Sequence, residues 1–305
     1  MDEMTKLQEF RSEITVTAPG RLPDFLERGG VAIDGGVLPG SQRKSLLLGG
    51  AGAAVAASLV VGLLVAQAGP GASPSAAEVL DQAADRVAAR PEVRPRDDQW
   101  VYESFVHDSA DAPRKEMWVR FDGTKYANNQ PEGSSRLVVT EEEKGTTDPA
   151  PKEWYDELAA LPEDPHALLV QLRTSDLVDH TVPSTEAVSD FANVAECLLA
   201  APVLPPQAQA RLFRALATIP GVEVDADAHD LLGRSVLSVA WTGGNQEGID
   251  PDESVELLLD PSTYAALGQR STLLQDESGG PSKGDITFDV AYSATGVVDQ
   301  PGQRP

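Results

Sequence analysis

The 305-residue sequence predicts an α+β outer domain, an antiparallel sheet with helices packed on one side, carried on one transmembrane helix. Two observations lead there. Residues 46–66, LLLGGAGAAVAASLVVGLLVA, are almost continuously apolar, and no charge falls between Ser45 and Ala77. Beyond that run, strand-type segments come first, helix-type segments follow and strands return, with links of hairpin length, the order of an α+β fold. The chain divides into a tail (1–44), a span (45–67), a linker (68–74), a domain (75–298) and a C-terminus (299–305) expected to be disordered.

The span is long enough by simple geometry. About 20 apolar residues rising 1.5 Å each cross a hydrocarbon core of roughly 30 Å. Its Gly, Ala and Ser residues weaken a helix in water, but lipid offers the backbone no competing partner. Arg43 and Lys44 stand directly before the span, whereas Glu78, Asp81 and Asp85 precede the next cation, Arg86. Positive charge stays inside, so the N-terminus is expected in the cytoplasm and the bulk of the chain outside. A leader cleaved after Ala68, at the small-x-small Ala66-Gln67-Ala68, is the competing reading. The 44 residues before the run, and its length against an h-region of about 7–15 residues, favour a retained anchor. Gly50, Ala54, Ser58 and Gly62 recur every fourth residue, a stripe that lets two helices approach as a homodimer or that Ala- and Gly-rich composition produces unaided.

The tail carries Met4, Leu7, Phe10 and Ile14 near helical spacing, then Leu22, Phe25 and Leu26 before Gly29-Gly30. Such short amphipathic pieces cannot bury a core alone; they either stay unfolded or fold on a partner. Leu7, Phe10, Ile14 and Phe25 are the candidate docking residues.

In the outer domain, Ser75 and Glu78 form a capping-box pattern that opens a helix carrying Val79, Ala83 and Val87 and ending before Pro91. Residues 100–106 and 115–121 are aromatic and β-branched and read as strands; Lys125-Tyr126 and 136–140 continue them. Residues 151–161 read as a helix closed by Pro162, and Asp164 caps another with Pro165 at its first position. Residues 185–199 place Val188, Phe191, Ala195 and Leu198 on one face. A further helix starts at Pro205-Pro206, carries Leu212, Phe213, Leu216 and Ile219, and stops at Pro220-Gly221. Strands return at 222–224, 235–241, 255–259, 266–274 and 286–292. In the last, Ile286, Phe288, Val290 and Tyr292 alternate with Thr287, Asp289, Ala291 and Ser293, predicting one buried and one wet face.

Charge narrows the function classes. Twenty-four Lys and Arg face 48 Asp and Glu, a formal charge of −24, and 18 against 41 of these lie in residues 45–305. So acidic a chain repels phosphate, and no nucleic-acid partner is expected. The single cysteine, Cys197, allows no internal disulfide and falls between Val194 and Leu198 as a small core residue. Asp225, Asp227, His229 and Asp230 lack the Gly and Glu that a calcium loop of EF-hand type needs at its sixth and twelfth positions, and read as a polar hairpin. His107, His166 and His180 share no ligand spacing. Neither a GxSxG elbow, an HExxH motif nor a glycine-rich phosphate loop is present. No catalytic residue, metal or cofactor is expected.

Several outer segments carry a family likeness: WVYESF (100–105), EMWVRFDGTKY (116–126), EWYDELAALPEDPHAL (153–168), PPQAQARLFRALATIPGV (205–222), DLLGR (230–234) and LLLDPSTYAALGQR (257–270). In this order they resemble a family of actinobacterial single-pass membrane proteins of uncharacterised function, often encoded beside extracytoplasmic-function sigma factors. The 257–261 hairpin also resembles, at the level of fold, the open half-barrel of lipoprotein carriers and periplasmic sigma-pathway sensors. The resemblance implies a membrane regulator with a sigma factor as cytoplasmic partner and names no catalytic residue. The alternative is a membrane-tethered module that binds a lipid or other apolar molecule. The tail lacks the zinc-type His/Cys signature of membrane anti-sigma proteins.

Overall fold

The capping box expected at Ser75 is present in the computed structural model, which describes residues 75–129, 134–141, 149–178, 186–241, 253–276 and 280–305. Ser75 Oγ accepts from the Glu78 amide at 3.3 Å, and the Glu78 carboxylate accepts from the Ser75 amide at 2.8 Å. These bonds satisfy two of the amide donors that every helix start leaves open. The helices are α1 (Ala76–Ala88), α2 (Pro151–Ala159), α3 (Pro165–Leu172), α4 (Glu186–Ala200) and α5 (Pro206–Thr218). The strands are β1 (Trp100–His107), β2 (Lys115–Arg120), β3 (Lys125–Asn129), β4 (Leu137–Glu141), β5 (Val222–His229), β6 (Ser235–Trp241), β7 (Glu253–Leu259), β8 (Ala266–Leu273) and β9 (Ile286–Val298).

All nine strands form one open antiparallel sheet in the order β4-β3-β2-β1-β9-β8-β7-β6-β5. Two hairpin runs, β1–β4 and β5–β9, are joined along β1 and β9, so the last strand of the chain lies at the middle. That position corrects the alternation read over 286–292. Ile286 is 55% exposed, whereas Asp289 and Ala291 are buried. A central strand has neighbours on both sides and cover on both faces, and Asp289 is tolerated there because Arg270 Nε donates to it at 3.2 Å. Gly268 allows the close approach of β8 to β9, since a Cβ there would meet Val290 O at 2.1 Å.

The helices lie over the sheet face that carries Val101, and Val101 clusters with Phe121 and with Tyr155 of α2. Within the helical layer, Leu212, Phe213 and Leu216 of α5 are fully buried and Ile219 nearly so, as their 3.6-residue spacing predicts. Cys197 is likewise in the core, where burial raises its thiol pKa. Arg214 pairs with Asp85 of α1 at 3.0 Å, and Arg211 donates to the Ala159 and Leu161 carbonyls at the end of α2. Arg173 after α3 forks onto both carboxylate oxygens of Asp190 in α4, each at 2.7 Å.

The opposite face carries a second cluster of Trp100, Tyr102, Trp118, Ala127 and Val298. Residues 299–305 cover it, in place of the disorder expected there. Trp118 Nε1 donates to Gln303 O at 2.7 Å, Arg96 and Gln99 hold Asp299 at 3.0 Å each, and Pro305 sits against Gly296. The segment is polar by composition. It is ordered because an aromatic patch lies beneath it and charged partners flank it.

No described helix is long and apolar enough to cross a membrane. The expected span (45–67), the cleavage position after Ala68, the flanking Arg43 and Lys44, and the stripe Gly50, Ala54, Ser58 and Gly62 all lie outside the described residues, as does the tail with Leu7, Phe10, Ile14 and Phe25.

Candidate functional site

Between the sheet and the helical layer lies a cavity of about 220 Å³. Its apolar wall comes from Leu198 and Leu199 in the last turn of α4 and from Pro202, Val203 and Leu204 in the link to α5. That link carries Pro202 and Pro205, which do not continue α4, and its Val203 packs against the Val101, Phe121 and Tyr155 cluster at the edge of the cavity. Ala265 and Ala266 at the start of β8 provide short side chains on the opposing wall.

The polar floor comes from the two central strands. Glu103 of β1 faces the cavity together with Tyr292 and Thr295 of β9. Glu103 pairs in register with Thr295 and Phe105 with Tyr292; a bulge between Ser104 and Phe105 restores the shared side, and the Phe105 and Tyr292 rings lie 5.7 Å apart. Glu103 is only 6% exposed. No hydrogen bond or ion pair reaches its carboxyl among the described residues. Burial, uncompensated, pushes its pKa up to about 8, so the protonated form predominates at pH 7. Burial, and then the proximity of Glu103, raises the Tyr292 phenol.

Arg90 and Gln209 reach the cavity edge, and both are committed to the β7–β8 turn. Gln209 Nε2 donates to Tyr264 O at 3.0 Å, and the Arg90 guanidinium donates to Thr263 O. The turn is itself built tightly. One Asp260 carboxylate oxygen accepts from the Ser262 amide at 2.9 Å and from the Thr263 amide at 2.6 Å. Tyr264 takes a left-handed φ of 53°, which sends its fully buried ring against Phe213 at 6.4 Å. The DPSTY part of the quoted 257–270 segment thus locks the sheet to α5 and fixes one rim of the cavity.

The acidic residues of the β5–β6 region are held by local bonds. Asp230 accepts from the Leu232 and Arg234 amides and from the Arg234 guanidinium, so it closes the β5–β6 turn, and Asp225 caps the Asp227 amide. Among the described residues no group of three His, Cys, Asp or Glu side chains is placed to hold a metal ion. His107 packs beside Phe105 and Phe288, at 5.4 and 5.7 Å between ring centres.

None of the candidate docking or topology residues falls in the described structure, so the cavity is a site the sequence reading did not name. Its signal is visible in retrospect. In WVYESFVH the alternate residues Val101, Glu103 and Phe105 share one face, which puts an acid on an otherwise apolar stripe.

No protein-family model and no curated protein matches the chain, so the likeness to actinobacterial membrane proteins rests on the quoted segments. Among solved structures, the crystal structure of MucB in complex with MucA(peri) is similar at 16% identity, over 75% of this chain and 59% of that chain, with a TM-score of 0.28. The complex structure of Pseudomonas aeruginosa MucA/MucB is similar at 15% identity, over 75% and 58%, with the same TM-score. The chain spans less than two thirds of the length of these structures.

Proposed function

We propose that this chain is a single-pass membrane protein with a cytoplasmic tail, whose extracytoplasmic domain senses a small, largely apolar molecule held in the cavity above Glu103. Binding, not turnover, is its activity. The observation that carries this reading is a cavity between the two layers, aliphatic along one wall, into which the Glu103 carboxyl faces without a hydrogen bond or ion pair among the described residues. A fold gains no stability from such a group, because its desolvation costs free energy that no bond returns. Its cost is offset where a ligand supplies the missing contact. The charge-free run 45–67 and the flanking Arg43 and Lys44 support the topology. The family likeness supports a sigma factor as partner of the tail through Leu7, Phe10, Ile14 and Phe25.

The test uses the full chain in lipid nanodiscs with n-octanol as the probe. Octanol raises the thermal midpoint of the wild type, and the rise is lost in Ala266→Leu, which fills the cavity wall. No rise in the wild type, or an equal rise in both proteins, contradicts the reading.

A further inference from the structure

Size and wall chemistry limit what the cavity holds. A cavity of about 150 Å³ takes one benzene molecule, so 220 Å³ suits a chain of about eight to ten non-hydrogen atoms. Leu198, Leu199 and Val203 offer it only van der Waals contact. One end of the ligand must therefore meet the polar floor.

Three titratable or charged groups line the cavity: Glu103, Tyr292 and Arg90. Arg90 donates to the Thr263 carbonyl at the rim and lies in the field of Asp260, which partly offsets its charge. Tyr292 brings a phenol oxygen that can accept a hydrogen bond. Glu103 is the acid at the floor, and the domain around it is strongly acidic, with 18 Lys and Arg against 41 Asp and Glu over residues 45–305. A field of that sign concentrates cations and repels carboxylates.

We infer that the cavity, read as the sensing site proposed above, takes a monocationic amphiphile: its ammonium sits on the Glu103 carboxylate beside the Tyr292 hydroxyl and its hydrocarbon lies along Leu198, Leu199 and Val203. The neutral carboxyl of Glu103 releases its proton to solvent as the ammonium arrives, and a buried ion pair replaces a buried acid. Close to one proton leaves for each ligand bound at pH 7.

The experiment is calorimetric titration of the full chain in lipid nanodiscs at pH 7, with empty nanodiscs as the blank. The probes are n-octylamine, n-octanol and octanoate, each in buffers of different ionisation enthalpy. Octylamine binds with release of close to one proton, at least tenfold more tightly than octanol, and octanoate does not bind. Glu103→Gln abolishes the proton release and removes the tenfold preference while octanol binding persists. Octanol binding without octylamine preference overturns this inference and leaves the apolar site standing. Octylamine binding without proton release overturns it too, whether or not the variant folds. Preferential binding of octanoate reverses the charge assignment and overturns it. Binding of none of the three overturns the sensing site and this inference together.

Discussion

Arg304 holds Glu116 with two arms of its guanidinium, Nε at 2.5 Å from one carboxylate oxygen and Nη2 at 2.8 Å from the other. The same carboxylate accepts from the Tyr102 hydroxyl at 2.7 Å and from Asn129 at 2.6 Å. Glu116 is thus the node where the end of the chain is fastened to the sheet. Its pKa lies below the usual carboxylate value, first through the Arg304 bond.

From that node follows a pH-dependent strap. A carboxylate with a depressed folded pKa contributes stability that is present above its unfolded value, near 4.5, and is lost as pH falls through the folded value. Acidification through and below the ordinary carboxylate range loosens residues 299–305 before the rest of the sheet. Limited proteolysis of the C-terminus and Trp118 fluorescence follow the change. Trp118→Phe, which removes the bond to Gln303, costs about 1 kcal/mol, and deletion of 299–305 costs more because it also uncovers Trp100 and Tyr102.

Glu103 gives the opposite pH trend. Its folded pKa is raised to about 8, so the folded state binds a proton more firmly than the unfolded chain does. Stability therefore falls as pH rises from about 4.5 to 8, by up to about 1.4 kcal/mol per pH unit, and levels off above. Glu103→Gln flattens this limb and is the more stable protein at pH 8. Thermal midpoints across pH 5–9 for the two proteins decide it.

The helical layer depends on α5. Phe213→Ala costs about 3–5 kcal/mol and Leu216→Ala about 2–5 kcal/mol, because both side chains are fully buried. Phe213→Ala also removes the edge contact with Tyr264, so the β7–β8 turn becomes more open to protease. Denaturant midpoints and cleavage near Asp260 report the two effects; unchanged midpoints would remove α5 from the core.

Topology and tail are tested together. On the proposed topology, a reporter fused after Pro305 is expected to be active only outside the cytoplasm, because Arg43 and Lys44 precede the apolar run. On the proposed reading, residues 1–44 are expected to capture a sigma factor, and Leu7→Asp with Phe10→Asp to lose that capture. Cytoplasmic reporter activity contradicts the layout, and equal capture by both tails contradicts the docking surface.

Local signals in the sequence were enough for most elements of residues 75–298. Ser75 and Asp164 cap their helices as their positions suggest, and the α5 stripe from Leu212 to Ile219 faces inward. What local pattern does not encode is which strands meet. The pairing of Trp100 with Val298 joins residues nearly the full domain apart, and it makes β9 central and buries Asp289. The docking of 299–305 was hidden for the same reason, because its order comes from Trp118 and Glu116 in distant strands. Glu103 was legible as an acid on an apolar stripe. That this stripe meets a gap between layers depends on where α4 stops, at Ala200, and on the proline-rich link beyond it.

The most direct test of a ligand-receiving Glu103 is infrared difference spectroscopy of the full chain in lipid nanodiscs at pH 7, following the carboxylic-acid carbonyl band. The wild type shows a protonated-carboxyl band that Glu103→Gln lacks, and n-octylamine abolishes that band as carboxylate absorption grows. A wild type without such a band at pH 7, or a band unchanged at saturating octylamine, contradicts the account.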